Sequence, residues 1–273
     1  MSRSPVRVFL FAGQSNIAGA DAVIENGPTG FTQQDADKNS LLTYGPGPGD
    51  ETSPEYVPWG SIKGHVVSSG ANPHGFVIGP EVGFCRDLFE KDGVPLAIIK
   101  CCGNIEPTMD AWLWSEDQAF FRSMTEFVSR RWEELHGMNL DPVMSGVVWD
   151  QGIDDGFHEG RAREHRTNLQ NFIGAIRNHF NNPKLPVALS RSILSPLAKR
   201  QLMERVREAQ VEVARSVDQV KWLDVDDLQT VCSHHLSAAS QLKAGQRFAN
   251  AHRELARGSQ AYSRRSFSQG WSR

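Results

Sequence analysis

The chain has 273 residues, of which 39% are hydrophobic and 22% charged, and its formal net charge at pH 7 is -3. That balance excludes disorder of the whole chain and gives no basic footprint for nucleic acid. No apolar run approaches the ~20 residues of a membrane span. The opening Met1-Ser2-Arg3-Ser4-Pro5 has no signal-type apolar core, so the sequence as written reads as cytoplasmic, or as secreted or periplasmic if a signal peptide was removed.

From the amino end, Val6-Arg7-Val8-Phe9-Leu10-Phe11-Ala12 is a nearly continuous apolar run, as expected for a parallel strand buried on both faces. It stops at Gly13, and Gln14-Ser15-Asn16-Ile17-Ala18-Gly19 follows as a strand-to-helix turn. A hydroxyl there lies at the carboxyl edge of the sheet, where open α/β sheets bind ligands. Ser15 and Asn16 are equally suited to capping the turn. Asn16 is a candidate substrate contact beside the serine.

Residues 20–78 break the rhythm. Tyr44-Gly45-Pro46-Gly47-Pro48-Gly49-Asp50 and Asn72-Pro73-His74-Gly75 carry turn chemistry, and the stretch is expected to be a long loop insertion walling a cleft. Trp59 and His74 are its candidate lining residues, against the alternative of a solvated excursion held by a few aromatics.

Further strands are expected at 94–100, 143–149, 185–190 and 220–223, alternating with helices at 79–91, 115–136, 160–180, 195–217 and 239–256. This order predicts an α/β fold, a three-layer α/β/α sandwich with a central parallel sheet of about five strands. One domain spans 1–257, and the serine- and arginine-rich 258–273 reads as a disordered tail.

Four cysteines in a chain of this length do not make a disulfide framework, and adjacent Cys101-Cys102 lacks the spacer of common zinc sites. Asp150, Asp154, Asp155 and His158 would suit a hard cation if they converged, but nothing in the spacing enforces that. No phosphate-binding glycine loop occurs.

A serine hydroxyl needs a base and oxyanion donors. His235 follows the last strand and precedes the last helix, at the same sheet edge as Ser15; His234 is the alternative.

Several blocks in order carry a resemblance. They are Gly13-Gln14-Ser15-Asn16-Ile17-Ala18-Gly19, Gly79-Pro80-Glu81-Val82-Gly83-Phe84, Lys100 to Gly103 followed by Trp112, Trp149-Asp150-Gln151-Gly152-Ile153-Asp154-Asp155, and His235-Leu236-Ser237-Ala238. Together they resemble the SGNH hydrolases, in the sialate O-acetylesterase and acetylxylan esterase branch, over roughly residues 6 to 250. The resemblance implies an SGNH/flavodoxin-like fold and a serine-dependent carbohydrate esterase that removes acetyl groups from a sugar or polysaccharide without a cofactor. It aligns His235 with the family base and implies an oxyanion hole of Ser15, Gly103 and Gln151, with Asn104 as a spare donor. The implied partner is an acylated carbohydrate.

The acid departs from the pattern. The carboxylate expected three residues before the histidine is Cys232, and the glutamate of the Trp-x-Gln-Gly-Glu block is Ile153. A thiol with a reference pKa of about 8.5 does not replace an orienting anion at pH 7. Asp154 is the expected catalytic acid, with Asp155, Asp226 and Asp227 as other sources. A Ser-His dyad, a non-catalytic glycan-binding protein and a hydrolase of a different sugar ester are the competing readings.

Overall fold

The structure, a computed structural model, describes residues 3–47, 49–67, 75–102 and 119–268, with backbone only for 119 and 258–268. In chain order the elements are β1 (Ser4–Gly13), α1 (Ser15–Ala18), α2 (Asp35–Asn39), β2 (Leu41–Pro46), β3 (Val57–Ser61), β4 (His65–Val67), β5 (Gly75–Val77), α3 (Pro80–Asp92) and β6 (Leu96–Cys102). They continue with α4 (Ala119–Gly137), β7 (Leu140–Asp150), α5 (Glu159–His179), β8 (Val187–Ser190), α6 (Arg200–Ser216), β9 (Val220–Leu223) and α7 (Ala238–Ser268).

Among the described residues, seven strands form one sheet in the order β3-β2-β6-β1-β7-β8-β9, with β4 and β5 paired separately. All neighbours in the large sheet are parallel except the antiparallel β2–β3 edge. β1 lies between β6 and β7, so its ends are fixed on both sides.

The apolar run of β1 divides by strand periodicity. Phe9 and Phe11 enter a cluster with Val82, Phe84 and Leu88 of α3 and Phe248 and Ala249 of α7. Val8, Leu10 and Ala12 enter the opposite cluster, with Phe127 of α4, Phe172 and Ile176 of α5 and Val213 of α6. Alternate residues of a strand face opposite sides, so a strand apolar at both phases must be covered by helices on both. Burying a side chain of the size of Phe11 is worth about 1.5–3 kcal/mol.

The five expected strands are present, and four more lie inside the stretch expected to be a loop, two of them in the large sheet. β2 pairs in parallel with β6 from Leu41↔Ala97 to Pro46↔Cys102, and β3 closes the edge. Leu42, Thr43 and Tyr44 are buried, and the Tyr44 hydroxyl donates to the Cys102 carbonyl at 3.1 Å. The Gly-Pro turn chemistry therefore marks the end of a strand, where a missing N–H is tolerated. At the carboxyl end, α7 continues as helix past 256 to Ser268, through most of the segment expected to be disordered.

Candidate active site

The carboxyl ends of β1 and β7 meet at Gly13↔Asp150. Gly13 has φ +142°, and a Cβ there would sit 2.1 Å from the Asp150 carbonyl oxygen, so only glycine allows this approach. Gln14 then ties the two strand ends together. Its N–H donates to the Asp150 carbonyl at 2.8 Å, its Oε1 accepts from Gly152 N–H at 2.9 Å, and its Nε2 donates to Asp154.

Ser15 opens α1, whose first N–H groups have no intrahelical acceptor. The helix ends at once on Gly19, left-handed at φ +88°, where a Cβ would be 2.4 Å from the Ile78 carbonyl oxygen. Gly19 and Ala20 both return N–H groups to the Ser15 carbonyl at 2.9 Å. Asp21 follows with φ +59°, a conformation that aspartate tolerates better than most residues. Ile78 N–H bonds to the Ala22 carbonyl at 3.3 Å, so the Asp21 loop is pinned beside β5.

His235 arrives from the loop between β9 and α7. A bridge joins Thr230 to Leu236, and Val231 N–H donates to the His235 carbonyl at 2.9 Å. Asn16 grips this loop on either side of the histidine: its Nδ2 donates to the His234 carbonyl at 3.0 Å and its Oδ1 accepts from Leu236 N–H at 3.1 Å. Gln241 Nε2 donates to the Asn16 carbonyl at 2.8 Å.

These supports place His235 Nε2 2.9 Å from Ser15 Oγ and Nδ1 2.7 Å from Asp21 Oδ2. The Asp21 and His235 side chains are 2% and 9% exposed. With Asp21 accepting from Nδ1–H, Nε2 keeps its lone pair for the Ser15 hydroxyl, the arrangement in which an imidazole takes a proton from serine.

Asp21 thus occupies the place for which Asp154 was expected. Asp154 accepts from Gln14 instead. Asp155 is buried against His165 Nδ1 at 2.6 Å. Asp226 accepts from Arg207 and Arg191, and hydrogen bonding from Arg207 is the main cause holding its carboxyl below the usual range. Asp227 pairs with Arg247, whose hydrogen bond holds it down at about 2. Asp154 and Asp155 thus face different partners, Gln14 and His165. Asp150 is pushed up to about 6 by burial, against a hydrogen bond from Ser190.

Other expected residues sort as follows. His234 bonds Ser233 Oγ through Nδ1 at 2.7 Å, and burial followed by the His235 charge pushes it down to about 4. Asn16, expected beside the substrate, has both ends of its amide bonded to the histidine loop. Trp59, expected in a cleft wall, lies on the edge strand β3, donating to the Arg131 carbonyl at 3.3 Å and packing on the α4 side of the sheet. Gln151 is buried at the carboxyl end of β7, with Nε2 3.5 Å from Asp155 Oδ1. His74, Gly103 and Asn104 lie outside the described residues.

A model of the carbohydrate esterase, sialic acid-specific acetylesterase family matches residues 5–254. The chain belongs to this family. It is a carbohydrate esterase whose family implies an acetylated carbohydrate as substrate.

Solved structures share the fold. An Arabidopsis thaliana protein is 19% identical with a TM-score of 0.68, covering 92% of this chain and 98% of its own. NanS is 14% identical with a TM-score of 0.67, covering 94% and 99%. A carbohydrate acetylesterase from Xanthomonas citri is 18% identical with a TM-score of 0.64, covering 92% of this chain and 56% of its own. Among curated proteins, none matches the chain. No helix among the described residues is long and apolar enough to cross a membrane.

Glu81, from the Gly79 to Phe84 block, and Lys100 lie beneath the serine turn. Lys100 and Glu81 are both fully buried and paired at 2.9 Å. Glu81 Oε1 accepts from Gly79 N–H at 3.0 Å, while Lys100 Nζ and His65 Nε2 reach the Ala18 carbonyl at 3.2 and 3.0 Å. The last carbonyl of α1 is thereby held from below. Burial, reinforced by Lys100, keeps His65 far below its usual pKa and so neutral, as a donor next to an ammonium should be.

Asp21 was missed because it lies on the serine's own loop instead of on the histidine's. Its signal was present: a carboxylate two residues past a glycine stop, of a residue type that accepts the left-handed conformation.

Proposed function

We propose that this carbohydrate esterase removes O-acetyl groups from a sugar or polysaccharide through an acyl-enzyme on Ser15, with His235 and Asp21 completing the catalytic set. One observation carries the reading: the unbroken chain from Ser15 Oγ to His235 Nε2 at 2.9 Å and from His235 Nδ1 to Asp21 at 2.7 Å.

His235 takes the serine proton as Oγ attacks the ester carbonyl, and the tetrahedral oxyanion collapses with loss of the sugar alkoxide. His235 returns the proton to that leaving oxygen. Water, deprotonated by the same nitrogen, then attacks the acyl-enzyme, releasing acetate and restoring Ser15. Asp21 fixes the tautomer and stabilises the imidazolium; loss of such an acid costs about 10^4 in turnover.

The Ser15 N–H, at the start of α1, and the Gln151 amide are the proposed oxyanion donors, with Gly103 as the third. Register supports the pairing, since Ser15 and Gln151 lie just beyond the adjacent strand ends Gly13 and Asp150. The Gln151 to Asp155 contact of 3.5 Å is long enough for the amide to exchange toward a developing oxyanion. The net charge of -3 favours a carbohydrate partner over nucleic acid.

The test is hydrolysis of p-nitrophenyl acetate and of a panel of O-acetylated sugars by the wild type and Ser15→Ala. Acetate release by the wild type and its loss in the variant are expected. Equal rates, or turnover of non-acetyl esters alone, would refute the reading.

A further inference from the structure

Cys232 stands where the family resemblance calls for a carboxylate, three residues before His235, while the acid itself comes from Asp21. The Cys232 sulfur accepts the His235 backbone N–H at 3.3 Å. One potential ligand atom from each of Asp21, Cys232 and His235 lies within 4.8 Å of the other two. The thiol has therefore added a soft donor to an imidazole nitrogen and a carboxylate already held together.

This donor set suits one class of ion. Zn2+ and related thiophilic divalent cations take sulfur, imidazole and carboxylate together, whereas hard cations prefer oxygen alone. A tetrahedral ion with bonds of about 2.0–2.3 Å holds its ligand atoms about 3.3–3.8 Å apart. The Asp21 to Nδ1 pair, now 2.7 Å apart, would open by about 0.6 Å to meet that geometry. The thiol would close in from within 4.8 Å, and Cys232 is half-buried, so an ion reaches it from solvent.

We propose that Asp21, Cys232 and His235 form an inhibitory site for a thiophilic divalent cation of the Zn2+ class, built on the back of the imidazole that faces Ser15. The inhibition rests on His235 acting as the base proposed above; the binding itself does not. In the resting tautomer the ring proton is on Nδ1. Binding forms metal–nitrogen, metal–sulfur and metal–oxygen bonds, moves the ring proton to Nε2, and releases the thiol proton to solvent. Thiolate and carboxylate together neutralise the dication. An Nε2 that carries a proton cannot accept one from Ser15, so acylation stops.

The other cysteines do not offer this chemistry. Cys85, Cys101 and Cys102 are buried, and burial raises all three thiols, Cys85 to about 12, which opposes the thiolate a metal needs.

Cobalt(II) serves as the spectroscopic probe on the full chain. One Co2+ per chain with thiolate-to-cobalt charge-transfer absorption, displaced by Zn2+, is expected. Esterase activity should fall over the same Zn2+ range and return with a chelator. Cys232→Ser should abolish the band and raise the Zn2+ concentration for half-inhibition at least about tenfold, since even an outer partner of a metal site is worth that much. Asp21→Asn, which leaves the thiol in place, should weaken Co2+ binding by a similar factor. Ser15→Ala should keep the band undiminished, which separates the metal site from the esterase reading. No band in the wild type, an unchanged band in Cys232→Ser, or unchanged affinity in Asp21→Asn would overturn the proposal.

Discussion

Asp21 and His235 are 214 positions apart in the chain, yet the Asp21 carboxylate lies 2.7 Å from His235 Nδ1. Asp21 shares one short loop with Ser15, so the proposed nucleophile and acid are placed by the same turn and only the histidine must come from elsewhere. Replacing Asp21 with Asn should lower kcat by about 10^3–10^4 with little loss of fold, because the amide can present the wrong hydrogen-bonding partner to Nδ1. Asp154→Asn, altering a bond to Gln14, should change kcat far less. Steady-state kinetics of the two variants side by side check this, and equal losses would return the acid to Asp154.

Asn16 is expected to act on the histidine and not on the sugar. Asn16→Ala leaves the His234 carbonyl and the Leu236 N–H without their side-chain partners, at a cost of about 1–3 kcal/mol for each buried group left unsatisfied. Thermal unfolding should shift down, and kcat should fall more than KM rises. A rise in KM with kcat unchanged would mean that Asn16 contacts substrate.

The buried Lys100–Glu81 pair gives a sharper stability test. Lys100→Met strands a fully buried carboxylate and should cost about 3–5 kcal/mol, whereas Lys100→Met with Glu81→Gln should recover much of it. Chemical denaturation of the single and double variants decides. A double variant as unstable as the single would show that the ammonium matters through Ala18 alone.

Acid should weaken the fold through buried neutral histidines. His252 is pushed down to about 4, first by burial, so the unfolded chain binds the proton more readily than the native one between that value and the ordinary histidine pKa of about 6.5. The stabilisation is fully present above about 6.5 and is lost as pH falls toward 4, with a slope of up to about 1.4 kcal/mol per pH unit. His252→Gln should flatten this dependence in denaturation curves taken from pH 7 to 4. An unchanged slope would remove His252 as a cause.

Strand positions were readable wherever burial on both faces wrote a continuous apolar run, as in β1 and β6. β2 was hidden because Gly45-Pro46 advertises a turn, although Leu42 and Tyr44 already lay in the sheet. Ser15 and His235 were readable because their placement follows from strand ends, which leave local marks. Asp21 left only a weak local mark, a carboxylate two residues past Gly19, because its pairing with His235 is made by three-dimensional approach across 214 positions. Asn16 shows the converse: its neighbour Ser15 suggested substrate, but a short amide facing two backbone groups is better used as a clamp.

The most direct measurement is where a reactive acyl group goes. Brief exposure to an activated ester, acid quenching and peptide mass mapping should find one acyl group per chain on Ser15, absent in Ser15→Ala and strongly slowed in His235→Ala. Acylation of another residue, or labelling of Ser15 at the wild-type rate without His235, would contradict the account.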